Sequence, residues 1–237
     1  MLRVVCMTLC ALALCGLSTS VSAEEKVLFN GKDLTGWKGR ADLWSVKDGA
    51  ITGTTSDENP IQQNTFLVWQ GGEVSDFELT LEYRIVAGNS GIQYRSEVVQ
   101  DTKETGPIIK GYQADFEAGT TYSGILYEER GRGILAQRGQ KTELTFTEGN
   151  KHKTKVDVVG SVGDSEAIQA SIKSEDWNSY KIVAKGNHLQ HFINGMQTVD
   201  VTDKHPKQRA SGVLAFQVHR GPAMVVQFRN IVLKPLH

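Results

Sequence analysis

From residue 77 to residue 85 the chain runs Phe-Glu-Leu-Thr-Leu-Glu-Tyr-Arg-Ile, apolar and polar in unbroken alternation. Successive side chains of a strand point to opposite faces, so this period of two predicts a strand with one face in a core and a charged face toward water. The same period recurs at 180–185, 188–193 and 196–201. Gly186-Asn187 and Asn194-Gly195 separate these runs. Two-residue links of that kind close tight hairpins, so the region is predicted to be a three-stranded meander. Further strands are predicted at 44–46, 50–54, 66–69, 91–96, 111–116, 124–127, 212–219 and 225–233. A helical period is nearly absent, and 165–173 is the one short helix the pattern suggests. Many short strands punctuated by 24 glycines point to an all-β sandwich or jelly roll. No repeat, low-complexity tract or linker divides the chain, so 24–237 is expected to form one domain.

Several of these strands carry an unusual second face. In Val213-Leu214-Ala215-Phe216-Gln217-Val218-His219, the core side takes Leu214, Phe216 and Val218, and the other side takes Val213, Ala215, Gln217 and His219. In Ile92-Gln93-Tyr94-Arg95 the second face holds Gln93 and Arg95; in Tyr112-Gln113-Ala114-Asp115-Phe116 it holds Gln113 and Asp115. A solvent face ordinarily carries Lys, Glu and Thr, as at 77–85, whereas these positions are glutamines with Arg, Asp and His. If the strands are neighbours in a curved sheet, all six polar side chains line one concave face. Amide and guanidinium groups offer paired hydrogen bonds to vicinal hydroxyls while aromatic rings cover C–H surface, so such a face suits a sugar.

The N-terminus and the composition set the surroundings of that face. Arg3, the apolar run 4–17 and the small residues Val21-Ser22-Ala23 have the pattern of a signal peptide over 1–23, so the protein is expected to be exported to the periplasm or cell exterior. The run is too short to favour a permanent membrane span. Cys6, Cys10 and Cys15 all fall within it, which leaves the mature chain without disulfide, thiolate metal site or cysteine nucleophile. A lipoprotein anchor on Cys15 is the weaker alternative, because Leu14 before it is bulky. With 26 basic and 27 acidic residues the formal net charge is −1, which provides no field for nucleic acid. Lys151-His152-Lys153-Thr154-Lys155 is locally basic and is expected to be a solvated loop or strand edge. The oligomeric state is not encoded in any of these patterns.

Histidine spacing argues against a preformed zinc site. His188 and His191 fall on opposite faces of one strand, His152 and His205 are expected in loops, and there is no His-x-His or His-Glu-x-x-His. An oxygen-ligated divalent cation stays open as a cofactor. The tryptophans at 37, 44, 69 and 177 are expected to pack in the core or at strand edges. In Glu128-Glu129-Arg130-Gly131-Arg132 the adjacent carboxylates should diverge, and Glu128 is assigned to the rim of the concave face. The absence of Gly-x-Ser-x-Gly, a P-loop and Gly-x-Gly-x-x-Gly removes a hydrolase elbow and a nucleotide site.

Seven stretches then coincide in order: LFNGKDLTGW from Leu28, WSVKDGAITG from Trp44, NSGIQYRS from Asn89, GYQADFEAG from Gly111, SGILYEERGRGIL from Ser123, WNSYKIVAKGNHLQHFING from Trp177 and GVLAFQVHRGPAMVVQFRNI from Gly212. Together they resemble the 3-keto-disaccharide hydrolase domain family of exported bacterial proteins, over 27–236. The resemblance implies a concanavalin A-like jelly roll of two antiparallel sheets with a concave ligand face. It also implies cleavage of glycosides oxidised at C3: a base removes the acidified C2 proton, the enolate expels the C1 substituent, and water can then add. On that basis His219 or Asp115 is the base, and Arg95, helped by a bound cation, stabilises the enolate. Gln93, Gln113, Gln217 and Tyr127 position the sugar, with Glu128 at the rim. The alternative is a non-catalytic carbohydrate-binding module on the same fold. A retaining or inverting glycosidase would need two facing carboxylates, for which the sequence offers Asp115 and, less clearly, Glu117 or Glu128.

Overall fold

The computed structural model describes residues 24–236, and the expected signal peptide at 1–23, with its cysteines, lies outside them. In chain order the strands begin with β1 (Lys26–Val27), β2 (Trp37–Lys38), β3 (Trp44–Lys47), β4 (Ala50–Thr55), β5 (Thr65–Trp69) and β6 (Phe77–Ile85). Next come β7 (Asn89–Thr102), β8 (Gly106–Glu117), β9 (Leu126–Glu129), β10 (Gly133–Ala136), β11 (Gln140–Thr147) and β12 (Asn150–Ser161). After a short helix, α1 (Ser165–Ala170), follow β13 (Asn178–Lys185), β14 (His188–Ile193), β15 (Met196–Asp203), β16 (Val213–Val218) and β17 (Met224–Pro235). They form a two-layer jelly roll. One sheet runs β12-β11-β15-β14-β13-β6-β17-β4-β3 with β1 beside β17, and the other runs β10-β9-β8-β7-β16-β5-β2. Among the described residues no helix is long and apolar enough to cross a membrane.

The alternation seen along the chain is what joins the layers. Burial along β6 follows it residue by residue, with every second side chain in the core. Between the sheets Phe216 stacks on Phe228 with ring centroids 3.9 Å apart, and Tyr83 lies 4.1 Å from Phe116. Trp37, Trp44 and Trp69 are buried in the same core, while Trp177 lies under the guanidinium groups of Arg84 and Arg229.

The sheets depart from the expected pattern in three places. They are not wholly antiparallel: β11 pairs with β15 in parallel, from Gln140 opposite Val199 to Leu144 opposite Asp203. The connection between them passes through β12, α1, β13 and β14, long enough to return the chain in the same direction. The pattern does not mark β10, β11 and β12, and His152 lies inside β12 rather than in a loop, while the basic run around it falls on an exposed strand edge, one of its two expected places. That edge strand is exposed on both faces, so apolar and polar positions have no reason to alternate. The helix ends at Ala170, earlier than expected, where Ser171 Oγ bonds back to the Ile168 carbonyl at 2.7 Å.

Strands β7 and β8 run well past the predicted ends, and their hairpin folds back over the sheet. Thr65 Oγ1 bonds the Pro107 carbonyl at 3.2 Å, and Ile109 packs on Phe66, Val68 and Ala215. The apolar half of the concave face is thereby roofed by the chain itself, and the polar half is left open.

A bulge in β7 fixes where this face ends. Pairing slips between Tyr94 and Glu97 toward β8 and between Val213 and Ala215 toward β16, and Arg95 takes a left-handed backbone with φ of 45°. Both flanking strands answer with glycine: a Cβ on Gly111 would lie 2.3 Å from Ser96 Oγ, and one on Gly212 would lie 2.3 Å from the Ser96 carbonyl oxygen. Replacing Gly212→Ala should therefore cost about 1–3 kcal/mol through overpacking, measured by urea unfolding. Gly160→Ala, where the nearest atom is 3.7 Å away, should change little. Equal losses in the two variants would refute the close-packing account.

Candidate functional site

Strands β9, β8, β7 and β16 are neighbours, and their register brings the polar positions into rows. Ala215 pairs with Gln93, Gln93 with Gln113, and Gln113 with Tyr127. One step along, Asp115 pairs with Gly91. Gly91 is needed there, because a Cβ would lie 2.4 Å from Gln113 Cγ; its missing side chain is the space in which Gln113 lies. The result is an open cleft of about 610 Å³, and Asp115, His219, Gln113, Gln217 and Tyr127 all line it.

A directed hydrogen-bond chain runs beneath and into this cleft. Ser96 Oγ donates to Gln93 Oε1 at 2.9 Å, which leaves the Gln93 amide nitrogen to donate to Gln113 Oε1 at 2.5 Å. The Gln113 nitrogen then donates to Asp115 Oδ1 at 2.9 Å. Gln217 joins from the side, its amide nitrogen 3.1 Å from Gln113 Oε1 and 3.3 Å from Glu129 Oε2. Along this chain each amide oxygen accepts and each amide nitrogen donates, ending on the Asp115 carboxyl, while the Ser96 hydroxyl also lies 3.0 Å from the Tyr94 carbonyl oxygen.

Asp115 and His219 are shifted in opposite directions, each toward its neutral form. Burial raises the Asp115 pKa from 3.8 to about 8, against a smaller lowering by the Gln113 and Asn89 amides. Burial also raises Glu129, opposed by hydrogen bonds from Asn64 and Gln217. For His219 the same desolvation works on a cation and lowers the pKa below its ordinary 6.5. The His219 Nδ1 lies 2.5 Å from the Arg220 carbonyl oxygen, an acceptor only, so the proton of the neutral ring is on Nδ1 and Nε2 keeps its lone pair.

Three expected site residues stand elsewhere. Arg95 is not in the cleft: the bulge reverses its parity, and its guanidinium is buried against the Ser75 carbonyl at 2.7 Å, the Gly186 carbonyl at 2.6 Å and Asp76 Oδ1 at 2.8 Å. It is a clamp between loops, not an enolate stabiliser. Gln93 is fully buried and reaches the cleft only through Gln113. Glu128 points to the opposite side of β9 from Tyr127, where Arg132 Nε holds it at 2.5 Å; its neighbour Glu129 takes the place in the cleft. Alternation from Tyr127 would have selected Glu129, since 127 and 129 share a face. Asn64 and Asn89, also in the cleft, come from loop and strand-end positions that no period marks. Among the described residues no three His, Asp or Glu side chains converge as a metal site.

Two packed sheets in jelly-roll topology with a concave polar cleft define a concanavalin A-like sandwich. The profile of the 3-keto-alpha-glucoside-1,2-lyase-like domain family matches residues 24–234, and the chain belongs to that family. Among solved structures, a candidate glycosyl hydrolase from Parabacteroides distasonis is 23% identical, with a TM-score of 0.56 over 90% of this chain and 94% of that one. The carbohydrate-binding module CBM66 from Bacillus subtilis is 15% identical, with a TM-score of 0.51 over 86% and 98%. A Bacillus subtilis protein with a galectin-like fold is 13% identical, with a TM-score of 0.52 over 85% and 90%. These likenesses extend to the fold. Nothing among curated proteins matches the chain.

The raised carboxyl carries a stability signature. Folded Asp115 holds a proton that the unfolded chain releases above about pH 4, so its contribution is complete below 3.8 and is lost as pH rises toward about 8. Asp115→Asn keeps the shape without the charge. Its stability relative to the parent should grow steadily from about pH 4 to about pH 8 in urea unfolding. A pH-independent difference between the two proteins would refute the buried, protonated carboxyl.

Proposed function

We propose that this protein is an exported enzyme that cleaves glycosides carrying a ketone at C3, by taking the C2 proton and expelling the substituent at C1. The observation that supports this best is the division of protonation states in one cleft, with Asp115 protonated up to about pH 8 and His219 neutral. The ketone acidifies C2–H, and His219 Nε2 takes that proton. The electron pair passes into the C2–C3 enolate, and Arg220, which lines the cleft beside His219, balances the charge on O3. When the ketone re-forms, a double bond forms between C1 and C2 and the C1–O bond breaks. Asp115 protonates the leaving oxygen from Oδ2, since Oδ1 accepts from Gln113 and Oδ2 has only the 3.5 Å contact with Asn89. Water adding across the new double bond completes a net hydrolysis, and proton exchange with solvent resets both groups. Gln113, Gln217 and Tyr127 hold sugar hydroxyls. Export rests on the signal pattern of Arg3, the run 4–17 and Ala23.

A second reading has one observation behind it: Asp115 and Glu129 both face the cleft, and two facing carboxyls are what a glycosidase acting on unoxidised sugar requires. Incubating the protein with a 3-keto-disaccharide and with its unoxidised parent separates the two. Release of sugar from the oxidised compound alone supports the elimination. Release from the parent supports the glycosidase, and binding without turnover reduces the protein to a carbohydrate-binding module.

For the elimination, kcat/KM should be bell-shaped in pH, with an acid limb below 6.5 from His219 and an alkaline limb near 8 from Asp115. His219→Ala and Asp115→Asn should each lower it by about 10²–10⁴-fold. An alkaline limb that persists in Asp115→Asn would remove Asp115 from the role of acid.

A further inference from the structure

On the other side of β9 from the cleft lies a second cavity, of about 600 Å³, that the proposed chemistry does not use. Six cations line it: Lys110, Arg130, Arg132, Lys153, Lys207 and Arg209. Only part of this charge is balanced. Arg132 is neutralised in a buried network, 2.5 Å from Glu128 and 2.6 Å from Asp203, and Arg209 meets Glu97 at 3.2 Å and Glu128 at 3.8 Å. Lys110 pairs across the strands with the same Glu97. Lys153 has no acidic partner among the described residues, and Lys207 Nζ donates only to the His152 carbonyl at 3.2 Å. The excess of cations sits on a chain whose net charge is −1. Thr154 also lines the cavity and has a buried hydroxyl without a hydrogen-bond partner.

The two cavities are joined by one residue. Arg130 lines both of them, from a left-handed backbone with φ of 53° in the turn after β9, with its guanidinium 3.1 Å from Gln63 Oε1. Glu129 faces the cleft and Glu128 the groove, because adjacent strand residues point apart. Arg130 therefore stands at the boundary between cleft and groove.

We propose that this groove is a second subsite for an anionic group, so that the substrate is an acidic glycoside bearing a carboxylate, sulfate or phosphate on the unit beyond the scissile bond. This rests on the reading of the cleft as a sugar site. Lys153 and Lys207 supply flexible ammonium donors, Thr154 a hydroxyl donor, and Arg130 the contact at the boundary. The Glu128–Arg132–Asp203 network forms the buried floor, and Glu97 and Glu128 engage Arg209, which leaves Lys153 and Lys207 to the ligand.

The test is calorimetric binding of three probes to the described protein: cellobiose, cellobiouronic acid and cellobiose 6′-sulfate. The charged probes should bind about tenfold more tightly than cellobiose at low salt, and the advantage should shrink as salt is added. It should vanish in Lys153→Glu/Lys207→Glu, whose two positions are exposed on the surface. The better of the charged probes names the source as uronic acid or as sulfated sugar. Equal affinities in the parent, an advantage that survives in the double variant, or no binding of the charged probes overturns the groove. Gln217→Ala separates this failure from failure of the cleft. If cellobiose binds, loses affinity in Gln217→Ala and gains nothing from charge, the cleft stands and the groove falls. If binding depends on charge and on the lysines but is indifferent to Gln217→Ala, the groove stands and the cleft reading falls.

Discussion

The bulge at Arg95 and Ser96 is the constraint on which the site depends. It forces a left-handed residue into the middle of a long strand, at a place where both neighbouring strands must carry glycine to make room. Two consequences follow from the one distortion. Arg95 is thrown off the concave face and ties together the loops that carry Ser75, Asp76 and Gly186, so a charge that would crowd the cleft becomes a structural clamp. Ser96 is turned onto Gln93, at the head of the run of amides that ends with Gln113 donating to Asp115.

The end of that run explains how a deeply buried carboxyl is tolerated. An ionised Asp115 would meet two carboxylates, Glu117 and Glu129, across a poorly solvated cleft, and both push its pKa further up. One amide donor on Oδ1 offsets part of that cost, and protonation of the carboxyl relieves the remainder. Burial acts on His219 with the opposite charge, so a single physical cause, desolvation, shifts an acid and a base of one cleft toward their neutral forms. Electrostatics then divides the molecule at β9. Toward the cleft lie Asp115 and His219, both shifted toward their neutral forms, and toward the groove lie cations that three carboxylates balance only in part.

Much of the fold was legible because burial on one face imposes alternation, and β6, β13, β14 and β15 each carry it with turn residues between them. The concave face was legible for the same reason: Gln113, Asp115, Gln217 and His219 share a parity that packing alone would not produce. Parity failed where the backbone itself is irregular or where neither face is buried. A bulge inverts the sides without any change in composition, so Arg95 was placed with Gln93 when it belongs elsewhere. In Glu128-Glu129 the two residues are chemically alike, and only continuation of the alternation from Tyr127 distinguishes them. Strand β12 is the edge of its sheet and exposed on both faces, so no period marks it, and β11 beside it buries only Thr142 and Leu144, too short an alternation to stand out.

By itself, then, the sequence determined the layered all-β architecture, the family and a central group of the cleft's polar residues, Gln113, Asp115, Gln217 and His219, because each of these follows from local periodicity and from motifs that survive without knowledge of their neighbours. Only the tertiary structure decided which carboxylate enters the cleft, that Arg95 is a clamp, that Gln93 acts through Gln113, and that the basic run in β12 meets Lys207 and Arg209 across a groove. Those facts depend on strand register and on contacts between segments far apart in the chain. A strand pattern states which side a residue takes, but not what the fold has placed on that side.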